Sequence, residues 1–476
     1  MAVSRSWERE AAALRAEETA TPPERRREFV WLAAASLMVV SGLALVAIAK
    51  TQEFADAAVQ LEDRELLNVN AVATKEELLP FLQSFSNQAE RDLAADRVFD
   101  YLQSHRPLPN IGALGRLRVS QTEIEGDARW SRMRAELKRR EERSKTGAEV
   151  RVPLLSLAAI KPHLVVRTPR DFWQEYLLWT LAYLASFWLV HFAWRWRRFR
   201  GDAGILPALH LLAGIGLCLA VSLRDPLRDT LDFRKFSWGV ALGVCLLLLP
   251  LLRVFHYQRF SRWIYTPLLA GFALFVALLL FGSGPTGSDA RVNLGPFQPV
   301  EAIKLLVVFF MAGYFAKRWE WLRELREKKL IPRQLRWLEI PRVTEVLPVM
   351  CAVGGALLLF FVLKDLGPAL VTGFLFLTMF AIARKRAGLA LLGIALLVGG
   401  VTVGYQLGKP QTVVQRVSIW MAPWDNDVRG GDQLAHALWA FATGGVWGSG
   451  PGWGDPGLIP AGHTDLVLPA IAEEWG

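Results

Sequence analysis

Apolar residues along this chain gather into runs of about twenty, the length a helix needs to cross the hydrocarbon core of a bilayer. Eight such runs fall at residues 30–49, 173–194, 203–223, 236–255, 263–282, 299–316, 346–363 and 367–384, and a ninth at 387–405. The chain ends inside what reads as a tenth, and only Lys364-Asp365 separates the seventh run from the eighth. The pattern predicts an all-α, polytopic helical membrane protein.

Between the first two runs lies a polar insert, residues 51–172, long enough for a small folded unit and mostly helical in pattern. Thr74-Lys75-Glu76-Glu77 fits a capping box ahead of Leu78, Leu82 and Phe85, with Pro80 expected to kink that helix or delay its start. A basic segment from Arg132 to Arg143 reads as helix and residues 150–166 as a short β-like stretch. Two fragments, Leu67-Asn68-Val69-Asn70 and Leu108-Pro109-Asn110-Ile111-Gly112, faintly resemble helix-hairpin-helix pieces, but lie too far apart in sequence to form one hairpin. Residues 1–28 form a charged leader, 29–50 a first span, 173–200 a second span with a basic loop, and 201–476 the main membrane domain. No cleavable signal peptide is visible, so the first span reads as a retained anchor.

Composition agrees: 52% of the 476 residues are hydrophobic, and mean hydropathy is +0.25. A formal charge of +10 raises the question of nucleic acid, but its distribution answers it. Basic residues cluster at Arg25-Arg26-Arg27, Arg195 to Arg200, Arg253 to Arg262, Lys317 to Arg342 and Arg384-Lys385-Arg386, and an alternating count puts all these clusters on one side. The positive-inside rule makes that side the cytoplasm, places the insert outside and leaves no nucleic-acid surface to explain. Many of the nineteen tryptophans lie near span ends, as an interfacial belt requires. Cys218, Cys245 and Cys351 sit inside spans and read as packing residues.

Candidate chemistry concentrates near the ends of spans, where ionisable groups are costly and suggest function. Near the C-terminus a glycine-rich run containing Gly444-Gly445, Gly448 and Gly450 leads to His463-Thr464-Asp465, followed by an apolar stretch with Glu473-Glu474. Taken locally, Asp465 is either the cap of the next helix or a general base, and His463 either orients neighbours or is an ordinary loop histidine. Glu301 and Lys304, in Phe297-Gln298-Pro299-Val300-Glu301-Ala302-Ile303-Lys304, share a helix face. They are either an anion-binding pair or a structural one whose lysine snorkels to the interface. Asp365 follows Lys364 in Leu363-Lys364-Asp365-Leu366-Gly367 and also reads as a turn cap. Arg291, Arg416 and Gln433 complete the candidate set; Arg416 and Gln433 lie in a long loop, 406–465. No P-loop, dinucleotide fingerprint or nucleophile elbow occurs.

These motifs, in this order, resemble those of the SEDS glycosyltransferases, the RodA/FtsW/SpoVE family: F-Q-P-S-E-x-x-K, P-D-L-G-T-A, G-Y-Q, a glycine-rich segment, H-T-D-F and E-E-x-G. Here Val300 replaces the serine, Lys364 the proline, Pro368 the threonine and Asp432 the tyrosine. The resemblance covers about residues 203–476 and implies the family's first seven spans and the start of its eighth, so a chain truncated at its C-terminus is expected. It implies a peptidoglycan glycosyltransferase that polymerises lipid II at the outer face of the cytoplasmic membrane. Asp465 would be the catalytic base, and Lys304, with Arg416 or Arg291 assisting, would hold the undecaprenyl diphosphate. Glu301, Gln433, Asp365 and His463 would stand in supporting roles. A divalent cation could share the diphosphate charge, though no ligand cluster demands one. The family works beside a class B penicillin-binding transpeptidase, whose docking the insert could modify. A lipid-linked precursor flippase and a non-catalytic scaffold of an elongation or division complex are the alternatives. A flippase would line a mid-membrane cavity with charge, whereas the ionisable residues here sit at span ends.

Overall fold

A computed structural model describes residues 25–83, 85, 87–143, 151–199, 201–252, 263–284, 291–295, 297–323, 343–363, 366–428 and 430–476. The chain divides into two compact units, Met1–Leu252 with Pro423–Gly476, and Arg253–Ala422.

The first unit opens with helix α1, Arg25–Glu62. Its 38 residues rise through about 57 Å, well beyond a bilayer core of about 30 Å. One stripe of α1 (Leu32, Val39, Leu43, Val46) is buried, while Leu37, Met38, Leu45 and Ile48 are exposed. A helix that is apolar on its exposed side is built for lipid, and the same holds for its neighbours. Among the described residues seven helices are long and apolar enough to cross a membrane, and two more apolar helices, Tyr265–Phe281 and Val346–Val362, are shorter.

The insert follows α1 and has its own core around Trp130, Phe85, Leu102 and Ile111. It contains strand β1 (Leu67–Asn68), α2 (Gln88–His105), β2 (Arg118–Ser120), α3 (Gln121–Gly126), α4 (Ser131–Arg143), β3 (Arg151–Pro153), α5 (Leu157–Ile160) and β4 (Leu164–Val165). β1 pairs with β4 in parallel and β2 with β3 antiparallel, so the stretch expected to be β-like is two short strands, in different sheets, on either side of the helical turn α5. The capping box at Thr74 and Glu77 forms, but the turn it starts, Lys75–Phe81, is 3₁₀ around Pro80. The two hairpin-like fragments meet after all. The Asn70 side chain accepts the Leu108 N–H at 2.8 Å and donates to the Leu108 carbonyl at 3.2 Å and the Val166 carbonyl at 2.6 Å. Tertiary structure joins what the sequence separates. Glu90 is fully buried at the head of α4, accepting from Ser131 Oγ (2.9 Å), the Arg132 N–H and the Met133 N–H (both 3.1 Å). A carboxylate there satisfies open backbone donors and complements the helix dipole.

Thr168, Pro169 and Asp171 then start α6, Pro169–Trp196, with a full capping box. α7 (Ile205–Ser222) and α8 (Asp232–Leu246) complete the first part of the unit. α1 packs along α7, and α6 along α8. At the α1–α7 crossing a side chain on Gly214 would meet Val39 Cγ2 at 2.1 Å, so only glycine permits the approach. Two polar side chains inside this bundle are partnered across helices: His210 bridges Ser36 Oγ and Tyr183 OH, each at 3.0 Å, and Tyr176 OH donates to the Leu43 carbonyl.

The insert is fastened to the α7–α8 connection. Ile111 N–H donates to the Arg228 carbonyl and Val166 N–H to the Leu227 carbonyl, both at 2.9 Å. Asn110 Nδ2 donates to Thr230 Oγ1 at 2.6 Å, and Arg167 reaches the carbonyls of Pro226, Asp229 (2.6 Å) and Pro109 (2.7 Å).

The second unit holds α9 (Tyr265–Phe281), α10 (Pro299–Arg323), α11 (Val343–Val362), α12 (Leu366–Arg384), α13 (Gly388–Gln406) and α14 (Gln411–Met421). α10 packs against α9, α11 and α12 over a core that includes Phe275, Phe310, Phe360 and Phe376. The chain then returns to the first unit as α15 (Gln433–Gly444) and α16 (Val467–Trp475), which pack on each other and, through α16, on α7. The segment 406–465, expected to be a loop, thus contains two helices, and the expected tenth span begins as nine-residue α16.

Candidate functional site

α16 positions the principal candidate. Asp465 lies in the turn two residues ahead of it and is exposed, as are His463 and Thr464. The turn is closed by the Ala461 carbonyl, which accepts from the Thr464 N–H at 2.9 Å and the Leu466 N–H at 3.1 Å. Ala461 takes a left-handed φ of 57° to present that carbonyl. Leu466 is the N-cap residue and no side chain caps the helix. The Asp465 carboxylate makes no hydrogen bond or ion pair with any described residue, so of the two local readings the cap is not the one the fold uses.

The far end of α16 is tied on every side. Glu473 is almost fully buried and Glu474 fully so. Ser222 Oγ, at the end of α7, donates to Glu474 Oε1. The Asp455 N–H donates to Glu473 Oε1 at 2.9 Å. The carbonyls of Glu473 and Glu474 accept from Ser449 (2.8 Å) and Gly450 (2.9 Å). This draws the glycine-rich segment against the helix. Gly448 has φ +75°, and a Cβ there would lie 2.2 Å from the Glu474 carbonyl oxygen; Gly452 has φ +84° and would meet Ala49 Cβ of α1 at 2.9 Å. Both positions require glycine on conformation and on space. Trp475 lies against Gly42 of α1. Gln433 is exposed at the first turn of α15, next to Asp432.

In the second unit, Lys304 and Glu301 lie in the first two turns of α10, with Nζ 2.7 Å from Oε1. Glu301 is exposed and Lys304 about a quarter so, which leaves the pair reachable from outside. Arg291 is engaged locally: its Nη1 donates to the Leu279 carbonyl at 2.5 Å, closing the C-terminal turn of α9, and its N–H donates to the Leu363 carbonyl. Arg416 is exposed on α14 with no hydrogen bond or ion pair to a described residue. Asp365 lies outside the described residues. The fold therefore groups His463 with Asp465, and Glu301 with Lys304. Among the described residues, no group of three His, Cys, Asp or Glu side chains is placed to hold a metal ion.

Sequence reasoning did not find Ser222. Nothing local marks a serine at a helix end as the partner of a carboxylate 252 residues away.

Seven membrane-length apolar helices among the described residues, with ionisable residues at helix ends, define a multi-pass membrane protein. The chain belongs to the cell cycle protein family of FtsW, RodA and SpoVE, whose profile matches residues 205–476. It is 29% identical over 308 residues to the peptidoglycan glycosyltransferase RodA of Mycobacterium tuberculosis, covering 62% of this chain and 64% of that protein. It is 30% identical over 284 residues to the RodA of Mycobacterium leprae (58% and 59% covered). It is 32% identical over 263 residues to a probable peptidoglycan glycosyltransferase FtsW of Neisseria gonorrhoeae (48% and 52%). The matches thus span between about half and two thirds of these relatives. No solved structure matches the chain.

Proposed function

We propose that this protein is a peptidoglycan glycosyltransferase that polymerises lipid II at the extracytoplasmic face of the cytoplasmic membrane. The observation that carries the reading is Asp465: it stands in the His-Thr-Asp motif inside the family match, exposed and free of any structural bond to a described residue. In the reaction, the 4-hydroxyl of the acceptor sugar attacks the donor's anomeric carbon. The bond from that carbon to the diphosphate breaks with inversion, and the hydroxyl proton passes to the Asp465 carboxylate. Undecaprenyl diphosphate leaves carrying the electron pair, and Lys304 is the candidate cation for that developing charge. Of the assisting arginines, Arg416 has a guanidinium free among the described residues, whereas Arg291 already closes a helix end. A divalent cation sharing the diphosphate charge and a class B transpeptidase partner are compatible with this reading.

The test is polymerisation of purified lipid II by the full-length protein in detergent or proteoliposomes, with Asp465→Ala and Asp465→Asn beside the wild type. The reading expects glycan strands from the wild type and a loss of about a hundredfold or more in both variants. Polymer unchanged in Asp465→Ala removes the base assignment. Translocation of labelled lipid II without polymer would replace the reading with that of a flippase.

A further inference from the structure

A nine-residue helix has little stability of its own, so its position is set by what holds it. α16 packs along its length, through Leu466, Val467 and Ala470 near its start, on Leu219 and Ala440, but the hydrogen bonds that fix it to its surroundings gather at one end. Its last turn is bonded through Glu474 to Ser222 of α7, through Glu473 to Asp455, and through two carbonyls to Ser449 and Gly450. Its first turn carries no side-chain cap, and Asp465 beyond it is exposed. Among the described residues, the Ser222–Glu474 bond is the hydrogen bond that joins a side chain of α16 to a membrane-length helix, beside the packing of Trp475 on Gly42 of α1. Glu474 is fully buried, and its second oxygen has no hydrogen-bond partner among the described residues. A buried carboxyl with one bond made and one unmade is costly to keep for packing alone.

We propose that Glu474 is a positioning residue: locked on Ser222 of α7, it sets the register of α16 and thereby the place of Asp465, about 13 Å away along the helix. Its significance for catalysis rests on the glycosyltransferase reading above. What the position demands is an acceptor for the Ser222 hydroxyl, delivered on a stem that the glycine-rich segment can pack over. A side chain on Gly454 would lie 3.1 Å from Glu474 Cγ. A displacement of Asp465 by about 1 Å would cost turnover on the order of a hundredfold while leaving the substrate's other contacts in place.

The experiment pairs two readouts on the full-length protein. One is the rate at which a cysteine introduced as Thr464→Cys reacts with a charged maleimide, above the background of the protein lacking it. The other is kcat and KM for lipid II polymerisation without that label. Glu474→Ala is expected to change the labelling rate about threefold or more and to lower kcat by about tenfold to a hundredfold with KM little altered. Glu474→Gln still accepts from Ser222, and should stay within about threefold of wild type on both readouts. Ser222→Ala should move them in the same direction as Glu474→Ala, and the double variant should be no worse than Glu474→Ala alone. Unaltered labelling in Glu474→Ala, or a glutamine variant as impaired as the alanine one, overturns the proposal. If Glu474→Ala does not fold, Ser222→Ala decides by the same labelling criterion. If the wild type makes no polymer, the glycosyltransferase reading fails by itself and the labelling rates still judge the positioning role.

Discussion

Lys304 Nζ lies 2.7 Å from Glu301 Oε1, three residues earlier on α10, and the carboxylate is the more exposed of the two. A pair of this kind contributes only about 0.2–0.5 kcal/mol to a helix, too little to account for it by stability. Its alternative use is as a cation held ready for an anion, with the carboxylate steering the flexible lysine stem.

Lys304→Ala is therefore expected to lower kcat/KM for lipid II by about tenfold to a thousandfold while shifting the melting temperature by no more than a degree or two. Glu301→Gln, which removes the steering partner but leaves the cation, should lose less. Steady-state polymerisation and a thermal melt of each variant check this; equal small losses in both would return the pair to a structural role.

Glu90 makes a second, independent prediction. It is buried and receives the open donors at the head of α4. Glu90→Ala should destabilise the insert by about 2–4 kcal/mol, and Glu90→Gln by less. Protease sensitivity between residues 88 and 143 in the intact membrane protein reads this directly, with polymerase activity as the comparison.

Arg167 fastens the insert to the α7–α8 connection through the carbonyls of Pro226 and Asp229. Arg167→Ala is expected to raise hydrogen exchange at the amides of 227–230 by about tenfold, the size of one or two lost charge-assisted bonds. Exchange unchanged there would mean that the remaining bonds, those of Ile111, Val166 and Asn110 among them, hold the connection without Arg167.

Gly452 is constrained twice, by a φ of +84° and by Ala49 of α1. Gly452→Ala should cost about 1–3 kcal/mol. Adding Ala49→Gly should recover only the crowding part. A double-mutant cycle on melting temperature separates the two contributions; full recovery would show that the left-handed backbone carries no penalty.

The spans were legible in the sequence because lipid imposes a length and a polarity that leave little choice: α6, α10 and α12 fall where runs of apolar residues put them. Short-range chemistry was legible too. The Thr74–Glu77 box and the Glu301–Lys304 pair are each three residues apart, within reach of propensity and periodicity arguments. What the sequence concealed is long-range. Asn70 joins Leu108 and Val166, Ser222 joins Glu474, and Gly452 meets Ala49, and no spacing rule connects residues 38 to 403 positions apart. The helices α14 and α15 were hidden by composition, since glycine and proline around them suggested loop throughout. For Asp465 the motif raised the question that the fold then narrowed, by giving the helix cap to Leu466.

The match to the family begins at residue 205, yet the packing ignores that line. Val39, Gly42 and Ala49, all upstream of it, lie against Gly214, Trp475 and Gly452 downstream. What lineage marks as a module and what folds as a body therefore have different edges in this protein. A chain cut at residue 205 would leave the α1-facing side of α7 and the glycine-rich segment uncovered. A variant of α1 could then impair activity without touching any residue the family shares, and residues 1–204 belong in any search for the causes of lost function.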